Sequence, residues 1–318
     1  MALNAHVPSL VCEPQANAVA TTRNTPPKKR PRMVPTVARG SGACGHAPCD
    51  FGTHAGMQRT IFVTGAASGI GKAVAARFAA KGFFVGLYDV NEAGLAEVRA
   101  SLGPDRCCSG KLDVGDLDAF RRSVAAFGSA TGERMDVLFN CAGILRFGRF
   151  EGVTPEDANK QIRVNCEGVL NGIYASLPML EKTAAVSGRG RGEKPIIVNM
   201  SSASAIYGQP ELAAYSATKF FVRGLTEALD LEFGAKNIRV ADVMPGFVDT
   251  PMVHAQTYRP KSQDLLGVKT TADDVAQVVW DAVHGDKVHW TTKLDLAILV
   301  RLSGLTGLAR TVMRKMMT

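Results

Sequence analysis

Apolar and polar positions change their spacing several times along the chain, and each change marks an element. Arg59-Thr-Ile-Phe-Val-Thr64 is a short β-rich run that ends in Gly65-Ala-Ala-Ser-Gly69-Ile-Gly71, after which Ala73 to Ala80 repeat apolar positions at helical spacing. The spacing predicts a strand, a glycine turn and a helix. A second strand is predicted over Phe83 to Asp89 and others over Lys194 to Met200 and Ile238 to Val243, with helices over Val114 to Phe127 and Glu211 to Gly234. Strands alternating with helices predict an α/β fold: one doubly wound, mostly parallel sheet in a single domain at residues 57–318. Residues 1–56 keep neither period and have few large apolar groups, so they are expected to form a disordered basic extension. Met57 stands directly before the first strand, so 1–56 are expected to be an upstream extension or a mis-assigned start.

Composition narrows the class. With 46% apolar, 21% charged and 7% aromatic residues over 318 positions, the chain has the make-up of a globular enzyme. No run of about 18 uncharged apolar residues occurs, so no spanning helix is expected. The net charge of +8 comes from the ends: residues 1–56 carry six Lys/Arg against two acids, residues 293–318 five against one, and the body between is balanced. Such a body is not built to neutralise a phosphate backbone, and no nucleic-acid partner is expected. The basic run Pro26 to Arg32 resembles a nuclear-localisation cluster, a pattern that short segments often reach by chance. Seven cysteines form no regular framework, which points to a reducing compartment and a cytoplasmic location. Cys44, His46 and Cys49 could ligate a metal, but no second pair completes four ligands, so no metal is expected.

The glycine turn carries the first chemistry. Its glycines let the backbone approach a pyrophosphate, while free amides and the positive dipole end of the following helix attract it. Asp89 lies 24 residues after Gly65, where a carboxylate can accept hydrogen bonds from the adenosine ribose hydroxyls. The structural alternative is that Asp89 caps the helix starting near Asn91.

The spacing Thr64-Gly65-x-x-x-Gly69-x-Gly71 resembles the turn of the short-chain dehydrogenase/reductase family. The resemblance covers residues 57 to roughly 255, and less distinctly the C-terminus, through Leu112-Asp113-Val114, Asn140-Cys-Ala-Gly143, Asn165, Ser202, Tyr215-x-x-x-Lys219 and Pro245-Gly246. It implies a seven-stranded Rossmann fold and a homodimer or homotetramer built through the helices bearing Asn165 and Tyr215. It also implies cofactor contacts from Gly65, Ser68, Gly69, Ile70, Gly71, Asp89, Asp113, Val114, Asn140, Ala142, Gly143, Tyr215, Lys219, Pro245, Gly246, Val248 and Thr250. Among these, Asp113 would meet adenine, Asn140 would support the central strand, and Thr250 would orient the nicotinamide carboxamide. Asp113 as a plain N-cap of the helix at Val114 stays open beside that role. Cys141 departs from the commoner Asn-Asn-Ala-Gly, a change the fold is expected to tolerate. Asp89 repels the 2′-phosphate of NADP and no Arg or Lys occupies Ser68 or Val90, so NAD is expected in preference to NADP.

Tyr215 and Lys219 stand at i and i+4, on one helix face. A phenol with a pKa near ~10 is a poor base at neutral pH, but a nearby ammonium and a cationic nicotinamide favour the phenolate. Tyr215 is therefore expected to take the alcohol proton in oxidation and return it in reduction, with Lys219 holding the nicotinamide ribose and lowering the phenol pKa. Ser202 precedes Tyr215 by 13 residues, the family's separation, and is expected to donate to the substrate oxygen. Asn165 resembles the asparagine that holds a water in the proton relay; a helix-interior residue with a satisfied amide is the alternative. These four are the candidate catalytic set.

Substrate contacts are expected beyond the C-terminal strand ends, from Gly143 to Phe150, Ala203 to Leu212 and the segment after Thr250. Ile144, Leu145, Phe147, Ile206, Tyr207, Leu212, Met252 and Val253 suggest an apolar pocket for a secondary alcohol or its ketone or aldehyde, although Arg146, Arg149, Arg259 and Lys261 leave an anionic substrate open. Leu294 to Met317 reads as a basic amphipathic helix, expected to pack on its own domain or a partner subunit ahead of a membrane surface. Two rival functions remain. One is reduction of a 3-oxoacyl thioester, which Asp89 disfavours; the other is an NAD-sensing regulator, which has no need of a proton relay.

Overall fold

The computed structural model describes residues 58–188 and 193–292. The basic run at Pro26 to Arg32, the Cys44 to Cys49 cluster and the segment Leu294 to Met317 lie outside the described residues.

Six strands, β1 (Thr60–Thr64), β2 (Phe84–Asp89), β3 (Cys107–Lys111), β4 (Val137–Asn140), β5 (Ile196–Met200) and β6 (Arg239–Val243), alternate with helices α1 (Gly69–Ala80), α2 (Glu92–Leu102), α3 (Leu117–Thr131), α4 (Pro155–Ile162), α5 (Gly168–Val186) and α6 (Ala213–Gly234). Short elements follow: β7 (Val248–Asp249), α7 (Pro251–His254), α8 (Lys261–Leu266), β8 (Thr270–Thr271), α9 (Ala272–His284) and β9 (His289–Trp290). The main sheet has seven parallel strands in the order β3-β2-β1-β4-β5-β6-β9, and β7 pairs with β8 alone. This is the doubly wound α/β architecture that the alternation predicts.

Side chains alternate across each strand, so one sheet feeds two cores. Ile61 and Val63 of β1 face Val74 and Phe78 of α1 and Val275 and Val279 of α9. Phe62, between them, faces Phe120 and Phe127 of α3 and Ile173 of α5. Phe62 has no exposed surface and stacks on Tyr88 with ring centroids 4.1 Å apart. Truncating such a side chain to alanine typically costs about 3–5 kcal/mol.

Helix starts follow local capping chemistry: α2 starts where expected, without Asp89 as its cap, and α3 and α6 start later than the sequence expectation. Asn91, not Asp89, caps α2 by accepting the Gly94 N–H at 3.1 Å. Asp116, not Asp113, caps α3 by accepting from Asp118 and Ala119, so that helix begins three residues after Val114. Glu211 has φ +66, outside helical space, so α6 begins at Ala213. Among the described residues no helix is long and apolar enough to cross a membrane.

Candidate active site

The strand order reverses between β1 and β4, and in open α/β sheets that divergence opens a crevice at the C-terminal strand ends. Thr64 closes the top of β1 onto β4: its hydroxyl accepts the N–H groups of Cys141 at 3.0 Å and Ala142 at 3.1 Å. Gly65 follows at φ +71, with room for a Cβ only 3.0 Å from Ala142 N. A Cβ on Gly71 would lie 2.0 Å from the Gly65 carbonyl oxygen, so the turn and the start of α1 meet backbone to backbone. Ser68 is exposed and makes no side-chain cap, which leaves the first amides of α1 to a ligand. Ile70 packs into the core below. Thr250 is buried above the turn, 3.3 Å from where a Gly69 Cβ would be, and its hydroxyl donates to Val248 O at 3.3 Å. An uncapped helix start under a turn with no space for side chains fits a pyrophosphate.

Asp89 ends β2 beside this cradle. One carboxylate oxygen accepts the Ala67 N–H at 3.1 Å and the other the Asn91 N–H at 3.0 Å, so the carboxylate is fixed against the glycine turn. Asp113 is engaged within the chain, accepting from Gly115 N at 2.9 Å and from the Arg163 guanidinium at 2.8 Å. Val114 is buried, and its carbonyl accepts Asn171 Nδ2 at 2.8 Å. Asn140 bridges the central strands: its Nδ2 donates to Asn199 Oδ1 at 2.9 Å, and Asn199 Nδ2 donates to Thr226 Oγ1 on α6 at 3.0 Å.

α6 carries Tyr215 and Lys219 into the same crevice. The Lys219 Nζ lies 5.4 Å from the Tyr215 ring centroid and donates to Met200 O at 2.7 Å. Burial pulls the Lys219 pKa down to about 8 and pushes the Tyr215 phenol up to about 12; a hydrogen bond with Ser202 draws the phenol back down. The ammonium sits over the ring face and against a carbonyl, and desolvation of the phenolate dominates.

Ser202 stands at the end of β5, where it accepts the Ser204 N–H at 3.2 Å, while Ser201 turns away to donate to Lys219 O at 3.3 Å. Pro245 O accepts the Ala203 N–H at 2.9 Å and ties this turn to the segment bearing half-buried Gly246 and buried Val248. Asn165 lies in a π-helical turn, Arg163–Glu167, a distortion frequent at functional sites. Its Nδ2 donates to Ile144 O at 3.0 Å and Thr218 Oγ1 at 3.1 Å, and its Oδ1 accepts the Ile144 N–H at 2.8 Å. The amide is thus satisfied by the chain, as the alternative had it. Asn165 also comes close to Lys219, because a Cβ on Gly143 would be 3.3 Å from Asn165 Oδ1 and 3.9 Å from Lys219 Nζ.

Leu145, Phe147 and Leu212 form a buried cluster against Tyr215 and Phe247, with the Phe147 and Phe247 rings 6.1 Å apart and edge-on. Phe247 was hidden in the sequence as the first x of Pro-Gly-x-x-x-Thr. Thr218, which accepts from Asn165 Nδ2, is not singled out by the sequence, although its i+3 spacing from Tyr215 points to it. Arg146 pairs with Asp157 at 3.3 Å. Among the described residues no group of three His, Cys, Asp or Glu could hold a metal ion, and Cys107, Cys108, Cys141 and Cys166 are free.

A family model described as short chain dehydrogenase matches residues 59–261. The chain belongs to the short-chain dehydrogenase/reductase family. It is 35% identical over 227 residues to a 3-oxoacyl-[acyl-carrier-protein] reductase of Thermotoga maritima, covering 70% of this chain and 88% of that one. It is 32% identical over 209 residues to a D-threitol dehydrogenase of Mycolicibacterium smegmatis, covering 65% and 76%. The crystal structure of a 3-ketoacyl-(acyl-carrier-protein) reductase from Brucella melitensis complexed with NADH superposes with a TM-score of 0.67 at 29% identity, covering 74% of this chain and 97% of that one. As a member of this family, the chain is an oxidoreductase acting on a CH–OH group or a carbonyl.

Proposed function

We propose that this dehydrogenase uses NAD to interconvert a secondary alcohol and the corresponding ketone, or an aldehyde, with an apolar body, and that Tyr215 is its general acid/base. The observation that carries the reading is the environment of the Tyr215 phenol, which has Ser202 as its hydrogen-bonding partner, Lys219 over its ring and Leu145, Phe147, Leu212 and Phe247 packed around it. Tyr215 takes the hydroxyl proton of an alcohol in oxidation and gives it back to the carbonyl oxygen in reduction. Ser202 donates to that oxygen as negative charge builds on it. Lys219 and Asn165, which flank Gly143, connect Tyr215 to the proton supply.

Gly65, Ser68, Gly69, Ile70 and Gly71 would hold the pyrophosphate end of the dinucleotide, Asp89 the adenosine ribose, and Asp113 and Val114 the adenine. Asn140, Ala142, Gly143, Pro245, Gly246, Val248 and Thr250 would line the nicotinamide end. When bound, the dinucleotide supplies the hydride chemistry, and the protein supplies alignment and charge. NAD is preferred to NADP because the Asp89 carboxylate faces the cradle and neither Ser68 nor Val90 offers a compensating cation.

Similarity to two 3-oxoacyl-(acyl-carrier-protein) reductases favours a second reading, reduction of a 3-oxoacyl thioester. Exposed Tyr174 on α5 and Phe220, Phe221 and Leu231 on α6 support assembly of a homodimer or homotetramer through these helices. The test is a panel of secondary alcohols, ketones, aldehydes and a 3-oxoacyl thioester, followed by the absorbance of NADH and NADPH. Turnover by the wild type and its near-complete loss in Tyr215→Phe, with NADH binding retained, is the expected result. Wild-type turnover in that variant would sink the mechanism, and tight NADH binding without turnover of anything would favour a sensor.

A further inference from the structure

Glu211 stands two residues before α6 in the left-handed backbone region, at φ +66. A side chain with a Cβ is crowded there, and strain of this kind persists only where other contacts hold it in place. Those contacts are specific. The Glu211 carbonyl accepts the Gly148 N–H at 2.9 Å, and its two carboxylate oxygens accept the Tyr258 hydroxyl at 2.6 Å and the Lys261 N–H at 3.1 Å. One residue thereby joins the loop after β4, the run entering α6 and the segment between α7 and α8.

Two of these segments pack on Tyr215, and the third is tied to both of them. Leu212, the next residue, is buried with Leu145 and Phe147 against Tyr215 and Phe247, and the Phe147 N–H reaches Gln256 Oε1 at 3.4 Å, a second tie to the same distal segment. The Glu211 carboxylate also raises the pKa of the Tyr258 phenol. Tyr258 and Lys261 are exposed, and contacts between exposed polar groups add little to stability. Stability alone therefore gives no reason to keep a glutamate where glycine would be relaxed.

We propose that Glu211 is a positioning residue that latches residues 256–261 across the mouth of the Tyr215 pocket and so determines how tightly the apolar body of the substrate is held. The substrate half of this inference rests on the proposed dehydrogenase reading; the latch does not.

Glu211→Gly separates the alternatives, because it removes the carboxylate and relaxes the backbone together. A merely structural side chain predicts an equal or higher Tm with unchanged kinetics. The latch predicts an equal or higher Tm, amide exchange over residues 256–261 about tenfold faster, and a KM for 2-alkanones from butanone to octanone raised about five- to tenfold, with kcat within about threefold and NADH affinity retained. Tyr258→Phe, which removes one of the two carboxylate contacts, should give a smaller change in the same direction. Unchanged exchange in both variants overturns the latch. Faster exchange with unchanged KM overturns its role in substrate binding. If the wild type reduces no 2-alkanone, the dehydrogenase reading for that substrate class falls, and exchange alone decides the latch.

Discussion

Replacing Ser202 with alanine tests the electrostatics of the site directly. Burial pushes the Tyr215 phenol up to about 12, and the hydrogen bond with Ser202 is the contact that works against it. A hydrogen bond to a charged group contributes about 1.5–3 kcal/mol, and one pKa unit corresponds to about 1.4 kcal/mol. The phenolate is the form that accepts this bond, so losing it raises the pKa by about one to two units and leaves about 10- to 100-fold less phenolate at a given pH. The assay is the pH dependence of kcat/KM for alcohol oxidation in Ser202→Ala and the wild type. On the proposed mechanism the base form of Tyr215 is the active one in this direction, so the alkaline rise should move to higher pH in the variant. Lys219 provides an internal reference, since its pKa, drawn to about 8 by burial, has no contribution from Ser202 and its limb should stay in place. A lower plateau with no displacement of the Tyr215 limb would refute the reasoning, because a structural defect lowers the rate without moving a titration.

Gly71→Ala should open the glycine turn, because the new Cβ would start 2.0 Å from the Gly65 carbonyl oxygen and neither backbone can yield cheaply. A loss of about 1–3 kcal/mol in thermal unfolding and at least a roughly tenfold weaker NADH affinity by fluorescence titration are expected; wild-type binding would show that the cradle is not where the dinucleotide sits. In Asp89→Ala the carboxylate against the turn is lost, so the ratio of kcat/KM for NAD over NADP should fall by about one to two orders of magnitude, and an unchanged ratio would remove Asp89 from cofactor choice.

Most of the scaffold was legible because burial on both sheet faces writes itself as short apolar runs, as in Thr60 to Thr64 and Ile196 to Met200, and because glycines mark where two backbones must meet. What stayed hidden depended on contacts between segments far apart in sequence. Asp113 and Asp116 look alike as helix caps three residues apart, and only the path of the chain selects Asp116. Nothing in Gln-Pro-Glu-Leu announces that Glu211 takes a left-handed conformation. The i, i+4 spacing of Tyr215 and Lys219 is visible in the sequence, but the depth of their burial is a property of the assembled crevice.

The same dependence explains how the site holds together. Polar ties between neighbouring segments frame the crevice. Thr64 ties β1 to the Cys141 and Ala142 amides, Pro245 ties β6 to the Ser202 turn, Ser201 ties β5 to α6 at Lys219, and Asn165 ties the π turn to Ile144. On the proposed mechanism these polar ties would help set the reaction geometry alongside the four residues of the candidate catalytic set, with Thr64 and Ser201 acting as positioning residues.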